Sequence, residues 1–551
     1  MKWMRTILCV LLLFFVVVCW MPTESHALEG TYGDKLTWTF EDGCLTISGS
    51  GHMPIDKAVP WNDLKESITT VVLEPGVTSV GRLAFSGCVN LTSVTLPESV
   101  ATIEYMAFAF CAKLEQIQIP ERVMKIDDHA FTNCSSLVSI HIPDKVEYIR
   151  ESTFSGCSSL VSVRLSPNTY LIEDNAFLGC ISLTSIELPE SLHKLGRNVF
   201  EDCSSLESIV IPENITEIPD YTFRNCTGLT SVTFASGTTL IGYSAFINCS
   251  SLPSISIPES LTRIESEAFD GCKNLKSVYI SSMVKWLNTA VICSPMINGA
   301  DLYLNGQLVT ELVIPAEFVC IPPKAFSGCS SIRKVTIPQW VPSIDGEAFR
   351  NCANLEIVIF ESEPERIDYD AFAGCSKLKQ VHMTDISRWL GISFANEFSN
   401  PLANRADLYL NGELVTELAI PSGTERICAF TFAGCQSIRK VTIPRGILNI
   451  ENYAFHSCKN LETVKFRGKP KSVSDIAFAG CDKLKNFRYP TEDRPLEEWY
   501  DPDQYKDVEE KPAMFSQGPA RTRLISNWSN FFFKFLVASG CYLLATRRRR
   551  Y

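Results

Sequence analysis

Between Cys134 and Cys157 the apolar positions fall at Leu137, Ile140, Ile142, Val146, Ile149 and Phe154, with polar residues between them and Pro143 directly after the pair of isoleucines. The Ile140-His141-Ile142 alternation has the period of a strand with one face buried. It is very short, because proline has no N–H to give a ladder and stops the strand where it stands. The same pattern, L-x-x-V-x-I-P-x-x-V-x-x-I-x-x-x-A-F-x-x-C, returns every 23 residues: cysteines stand at Cys88, Cys111, Cys134, Cys157, Cys180, Cys203, Cys226, Cys249 and Cys272. It resumes at Cys329, Cys352 and Cys375 and again at Cys435, Cys458 and Cys481, each with Phe three residues before it. One such coil cannot bury its own apolar face. Stacked coils can, and they predict a parallel strand ladder around a continuous core.

The period lies in the range of leucine-rich repeats, roughly 20 to 29 residues. Units such as CSSLVSIHIPDKVEYIRESTFSGC resemble the BspA-like leucine-rich repeat family of surface proteins, over about Ile68 to Leu484. The expected fold class is a mainly β or α/β-type solenoid: a right-handed leucine-rich repeat coil with short parallel strands, an N-terminal β cap and a C-terminal hydrophobic tail. Phe131, Cys134, Phe154, Cys157, Phe177 and Cys180 are the repeating core contacts of this reading.

A residue that recurs once per coil stands above and below its own copies. The register cysteines are therefore read as buried free thiols acting as small apolar side chains, since identical side-chain directions disfavour the near-perpendicular S–S torsion. Cys44, Cys293, Cys320 and Cys428 lie off the register, and a bridge among them stays open. No C-x-x-C occurs, so a metal site is the weaker reading.

The chain opens with Lys2 and Arg5, an apolar run from Ile7 to Trp20 and Ser25-His26-Ala27, the pattern of a signal peptide over residues 1–27. Residues 28–65 lack the period. Two alternating runs, Leu36 to Phe40 and Leu45 to Ser48, flank Glu41-Asp42-Gly43 and predict a hairpin that caps the solenoid end. Trp38, Trp61 and Tyr32 there suggest the alternative of a carbohydrate-binding module. The solenoid is placed at 66–488, with two copied insertions at about 281–308 and 384–414. Each carries Trp-Leu (Trp286-Leu287, Trp389-Leu390) and then LYLNG, read as a short helix packed by its Trp and a hairpin turned at Asn305-Gly306 or Asn411-Gly412. They offer a binding site or a bend, or a structural elaboration shared across the family. Residues 489–526 form an acidic, proline-containing linker. Residues 527–546 are a candidate membrane anchor with Lys534 inside it, and 547–551 a basic cytoplasmic tail. No LPxTG precedes this tail, which argues against sortase attachment.

The formal net charge of −12 disfavours nucleic acid. No phosphate loop, H-E-x-x-H or G-x-S-x-G is present, and His129 and His456 fall at turn positions expected on the surface. No enzyme activity and no cofactor are expected. On each strand the residue between V and I points away from the core, giving Thr95, Gln118, His141, Arg164, Glu187, Val210, Thr233, Ser256 and Tyr279. This column of unlike side chains is the candidate binding face, with Gln118, His141, Arg164, Glu187, Thr233 and Tyr279 as its members of interest. Two residues earlier Ser139, Ser162, Ser185, Ser208, Ser231, Ser254 and Ser277 suggest a hydrogen-bonded ladder. The resemblance implies adhesion of a secreted, cell-surface protein, tethered through its C-terminal segment, to an extracellular or host protein or a glycan. A structural spacer of the envelope and glycan capture by the cap are the alternatives.

Overall fold

The computed structural model describes residues 27–484. The expected signal peptide, linker, anchor and basic tail lie outside these residues. Within them the chain winds as a parallel β-solenoid with a single core.

Most coils contribute two strands, while the coil of Gln118 forms no front strand over residues 114–120. The first is the V-x-I alternation, as in Ser139–His141 and Ser162–Arg164, paired in parallel register as Ser162↔Ser139, Val163↔Ile140 and Arg164↔His141. The second follows the proline and holds the next apolar residue, as in Tyr148–Ile149 and Leu171–Ile172, paired Ile149↔Ile172. We call these the front and second sheets. Between the second strand and the cysteine the chain turns through two left-handed residues per coil. One lies two positions before Phe, as at Ser152 and Asn175. The other directly precedes Cys, and Gly156 (φ 73°), Gly179 (φ 71°), Asn225 (φ 58°) and Asn248 (φ 61°) hold it. Gly and Asn tolerate that region best, and a Cβ on Gly156 would fall within 2.1 Å of the Asn133 Oδ1 of the coil below. Phe110 (φ 64°) stands at the same place with its ring exposed.

Two ladders run along the core besides the sheets. Phe85, Phe108, Phe131, Phe154, Phe177, Phe200, Phe223, Phe246 and Phe269 stack ring on ring, with centroids 5.2–5.7 Å apart. Beside them each cysteine thiol from Cys111 to Cys272 donates to the carbonyl of the Phe one coil back: Cys134 Sγ to Phe108 O at 3.1 Å, Cys157 to Phe131 at 3.2 Å, Cys180 to Phe154 at 3.2 Å. The same carbonyl accepts the N–H of the cysteine three residues on, as Cys134 N to Phe131 O at 3.1 Å. The expectation of buried free thiols as recurring core contacts is thus met, and every described cysteine is a free thiol, Cys44, Cys293, Cys320 and Cys428 included.

One column departs from the pattern. Val146, Leu192, Ile215 and Leu261 fill the core after the proline, but in two coils Thr169 and Thr238 take that place, fully buried, with hydroxyls that have no partner. A buried unpaired hydroxyl costs about 1–3 kcal/mol. Thr169→Val and Thr238→Val, nearly isosteric, are each expected to raise stability by about 1 kcal/mol, read as a higher denaturant midpoint. An unchanged or lower midpoint would mean that the hydroxyls are satisfied.

At the N-terminus three strands, β1 (Leu28–Tyr32), β2 (Leu36–Glu41) and β3 (Cys44–Gly49), form an antiparallel meander. The β2–β3 turn places Asp42 (φ 48°) and Gly43 (φ 81°) in the left-handed region, as a two-residue hairpin turn requires. β3 then pairs in parallel with Thr70–Leu73, so the cap is the front sheet's own first edge. β1 has no apolar alternation and escaped the sequence reading.

Candidate recognition face

The front column emerges as the alternation dictates. Gln118, Arg164, Glu187 and Thr233 are exposed, and His141 and Tyr279 half-buried. Arg164 stands directly across from His141, whose Nε2 lies 3.2 Å from Glu121 Oε1. Neither Arg164 nor Glu187 is held in an ion pair among the described residues, so both charges are available to a partner. The serine ladder does not form. Ser139, Ser162, Ser185, Ser208 and Ser231 are exposed, and among the described residues none of their hydroxyls bonds a neighbour. The backbone ladder already pairs the strands there, and the hydroxyls face solvent.

The face continues past Tyr279, where the sequence reading stopped. Tyr279 pairs with Tyr303, their rings 4.8 Å apart. Beyond the first insertion the same register position holds Val313, Thr336, Ile359, His382 and Tyr409. His382 stacks on Tyr409 at 4.5 Å, its Nε2 is 3.0 Å from Gln380 Oε1, and partial burial lowers its pKa, which keeps it neutral at pH 7. The signal was present: Leu302-Tyr303-Leu304 and Leu408-Tyr409-Leu410 repeat the apolar–x–apolar alternation of Val278-Tyr279-Ile280. The column is therefore polar and charged from Gln118 to Glu187 and, Thr336 apart, aromatic or apolar from Tyr279 to Tyr409.

The insertions fold largely as their sequences imply. Met283–Leu287 is a one-turn helix, α1, capped by the Ser282 side chain, and Ile386–Trp389 is its copy, α2, capped by Asp385. Trp286 and Trp389 are buried. The hairpins turn at Asn305 (φ 50°)-Gly306 (φ 76°) and Asn411 (φ 51°)-Gly412 (φ 86°). Their first strands, Asp301–Leu304 and Asp407–Leu410, join the front sheet rather than lying on its edge.

One alternative is disfavoured and one expectation is corrected. The cap aromatics are not a sugar platform, because Tyr32, Trp38 and Trp61 are packed inside. Their rings meet edge to face, Tyr32–Trp61 at 5.2 Å and Trp38–Trp61 at 6.2 Å, and Trp61 stacks on Phe85 at 6.0 Å. His129 and His456 are half-buried rather than exposed. His129 Nδ1 lies 3.3 Å from Thr132 Oγ1, and His456 Nε2 lies 3.8 Å from Glu397.

Burial pushes the register thiols up, to about 12 at Cys88, Cys272 and Cys375, so they are not thiolates at neutral pH. At the last described coil Cys481 is only half-buried, and its interaction with Cys458 lowers its pKa. With Ellman's reagent at pH 8, Cys481 is expected to react first among the described cysteines of the native protein, while Cys111 to Cys272 react only after unfolding. Fast labelling of Cys157 or Cys180 in native protein would contradict the buried ladder. Among the described residues no group of His, Cys, Asp and Glu is placed to hold a metal ion, and no helix is long and apolar enough to cross a membrane.

The model of the BspA type leucine rich repeat region matches residues 63–183, 170–294, 299–399 and 406–498. Among solved structures, a leucine rich cell surface protein of Faecalibacterium prausnitzii is similar at 22% identity, over 82% of this chain and 97% of that one, with a TM-score of 0.31. A leucine-rich repeat protein of Bacteroides ovatus is similar at 22% identity, over 82% and 92%, with a TM-score of 0.37. One of Eubacterium ventriosum is similar at 20% identity, over 85% and 97%, with a TM-score of 0.28. No curated protein matches the chain.

Proposed function

We propose, for a chain that belongs to the BspA-type leucine-rich repeat family of bacterial surface proteins, that it acts outside the cell as an adhesin, binding a protein partner on the front sheet. One observation carries this reading: a column of unlike, outward side chains on successive parallel strands, with the unpaired charges of Arg164 and Glu187 in it. A pure spacer needs no such variety on a face whose core neighbours are uniform. Solenoids present extended surfaces of this kind to macromolecules. Successive strands about 4.8 Å apart give nine coils a length on the order of 40 Å, which suits a protein better than a metabolite. Tethering by residues 527–546 after export through residues 1–27 belongs to the same proposal, as does the absence of catalysis. The test is a binding screen of the purified protein against arrayed extracellular-matrix proteins, with glycans alongside. A saturable protein hit supports adhesion. No hit from folded protein in either class favours the spacer, and a hit among glycans alone would overturn the choice of partner.

A further inference from the structure

The core ladders do not run the length of the solenoid. The phenylalanine stack that begins at Phe85 ends at Phe269, a second runs from Phe326 through Phe349 to Phe372, and a third from Phe432 through Phe455 to Phe478. The thiol ladder stops at the same two places. Cys272 still donates to Phe246 and Cys375 to Phe349, but Cys329 lies 3.3 Å from Ser331 Oγ and Cys435 3.5 Å from Ser437 Oγ. It restarts with Cys352 to Phe326 and Cys458 to Phe432.

Every stack opens on a buried tryptophan making one and the same bond. Trp61 Nε1 donates to Ala84 O at 2.8 Å, Trp286 Nε1 to Ala325 O at 3.0 Å and Trp389 Nε1 to Thr431 O at 2.9 Å, in each case the carbonyl just before the first Phe of the stack. Trp61 belongs to the N-terminal cap. Trp286 and Trp389 belong to the insertions, each with a hairpin that closes the front sheet at Gln307–Leu308 or Glu413–Leu414, as the β1–β3 meander forms its first edge. The second sheet breaks there too, after Ala290–Val291 and after Ser393–Phe394. Sheet breaks alone would not decide the matter, because the front sheet also lapses between Ile186 and Ser208. There, however, Phe177 stacks on Phe200 at 5.7 Å and Cys203 donates to Phe177 O, so the ladders bridge the gap.

Across each joint the tryptophan bond is joined by a small, duplicated set of links, and the second joint adds Asn400 Nδ2 donating to Phe430 O at 2.7 Å and Thr431 O at 2.9 Å. Ser330 N donates to Ala300 O at 3.0 Å and Leu302 N to Ser331 Oγ at 3.0 Å. At the second joint Gln436 N donates to Ala406 O at 3.1 Å and Leu408 N to Ser437 Oγ at 2.9 Å. A side-chain hydroxyl thus accepts the N–H that a neighbouring strand takes elsewhere.

We infer that the two insertions are internal caps, which divide the solenoid into three cooperative units, about residues 28–304, 311–410 and 417–484, that open separately. In a stack where each coil touches only its neighbours, the weakest interface sets the boundary of a cooperative unit. Both joints lack the ring stack and the thiol bond that the interfaces from Phe85 to Phe269 carry. A chain so divided yields in steps, the short third unit first, while the charged part of the front face in the first unit stays folded.

Native-state hydrogen exchange of the full chain, read by mass spectrometry at increasing denaturant, tests this. The expected result is three groups of peptides with distinct opening midpoints and boundaries near 305–310 and 411–416. Ser437→Ala, which leaves Leu408 N without its acceptor, should lower the midpoint of 417–484 and leave that of 28–304 unchanged. Phe455→Ala, inside the third unit, should do the same by a larger margin. Opening of all peptides at one denaturant concentration would overturn the inference, as would an equal shift of all three groups in either variant.

Discussion

Phe177→Ala is expected to cost the first unit about 3–5 kcal/mol, the range for removing a fully buried phenylalanine from a core. The ring sits in the middle of the longest stack, 5.5 Å from Phe154 and 5.7 Å from Phe200, with no exposure to solvent. Its removal deletes two stacked pairs and leaves a void between coils whose backbones are pinned by Phe177 N to Val199 O at 3.0 Å. Those coils cannot close on it, so the cavity persists. Phe110 supplies the control within the same protein. Its ring is 44% exposed and its backbone is left-handed (φ 64°), so Phe110→Gly removes no core contact and relieves strain. Equilibrium denaturation should show a large fall in midpoint for Phe177→Ala and an unchanged or higher one for Phe110→Gly. Equal losses at the two positions would mean that the stack does not bear the stability.

Arg164→Glu with Glu187→Arg is expected to weaken partner binding at least tenfold, about 1.4 kcal/mol, while leaving the unfolding midpoint unchanged. Both side chains are exposed on adjacent strands and neither is committed to an intramolecular pair, so their charge is spent on no fold contact. Reversal inverts the local pattern that a complementary surface would meet. The matched control is Arg150→Glu with Glu173→Arg, at a pair 3.2 Å apart beside the second sheet, which should bind like the parent protein. Titration of the immobilised partner with each variant reads both effects. Loss of binding in the control alone would move the site off the front sheet.

Most of the architecture was legible in the sequence, because a 23-residue period fixes which residues lie above one another. Phe131, Cys134 and their copies had to share a column, and Asn-Gly had to turn where LYLNG stands. What escaped has physical reasons. β1 carries Glu29, Gly30 and Thr31 and pairs through its backbone, which leaves no pattern to read. That the insertion tryptophans are packed was legible, but no period shows that the cap and both insertions make the same Trp Nε1 bond to the carbonyl before a stack's first phenylalanine. Trp61 stacks on Phe85, and Trp286 and Trp389 are tied to the first coil of the next stack by the same indole bond. The face was cut short at Tyr279 because the insertion hid that Tyr303 and Tyr409 keep the strand alternation. The serine column misled because regularity in sequence marks a shared position and not a shared bond.

The central claim is that a partner docks on the front column, and hydroxyl-radical footprinting of the complex tests it most directly, since both sheets carry oxidisable rings. His141, Tyr279, Tyr303, His382 and Tyr409 lie on the front face, and Tyr148, Tyr170 and His193 lie along the second sheet. The account predicts that partner binding slows oxidation of front-face residues, His141 among them, and leaves Tyr148, Tyr170 and His193 at their free rates. Protection of the second-sheet rings with the front ones unchanged would contradict it.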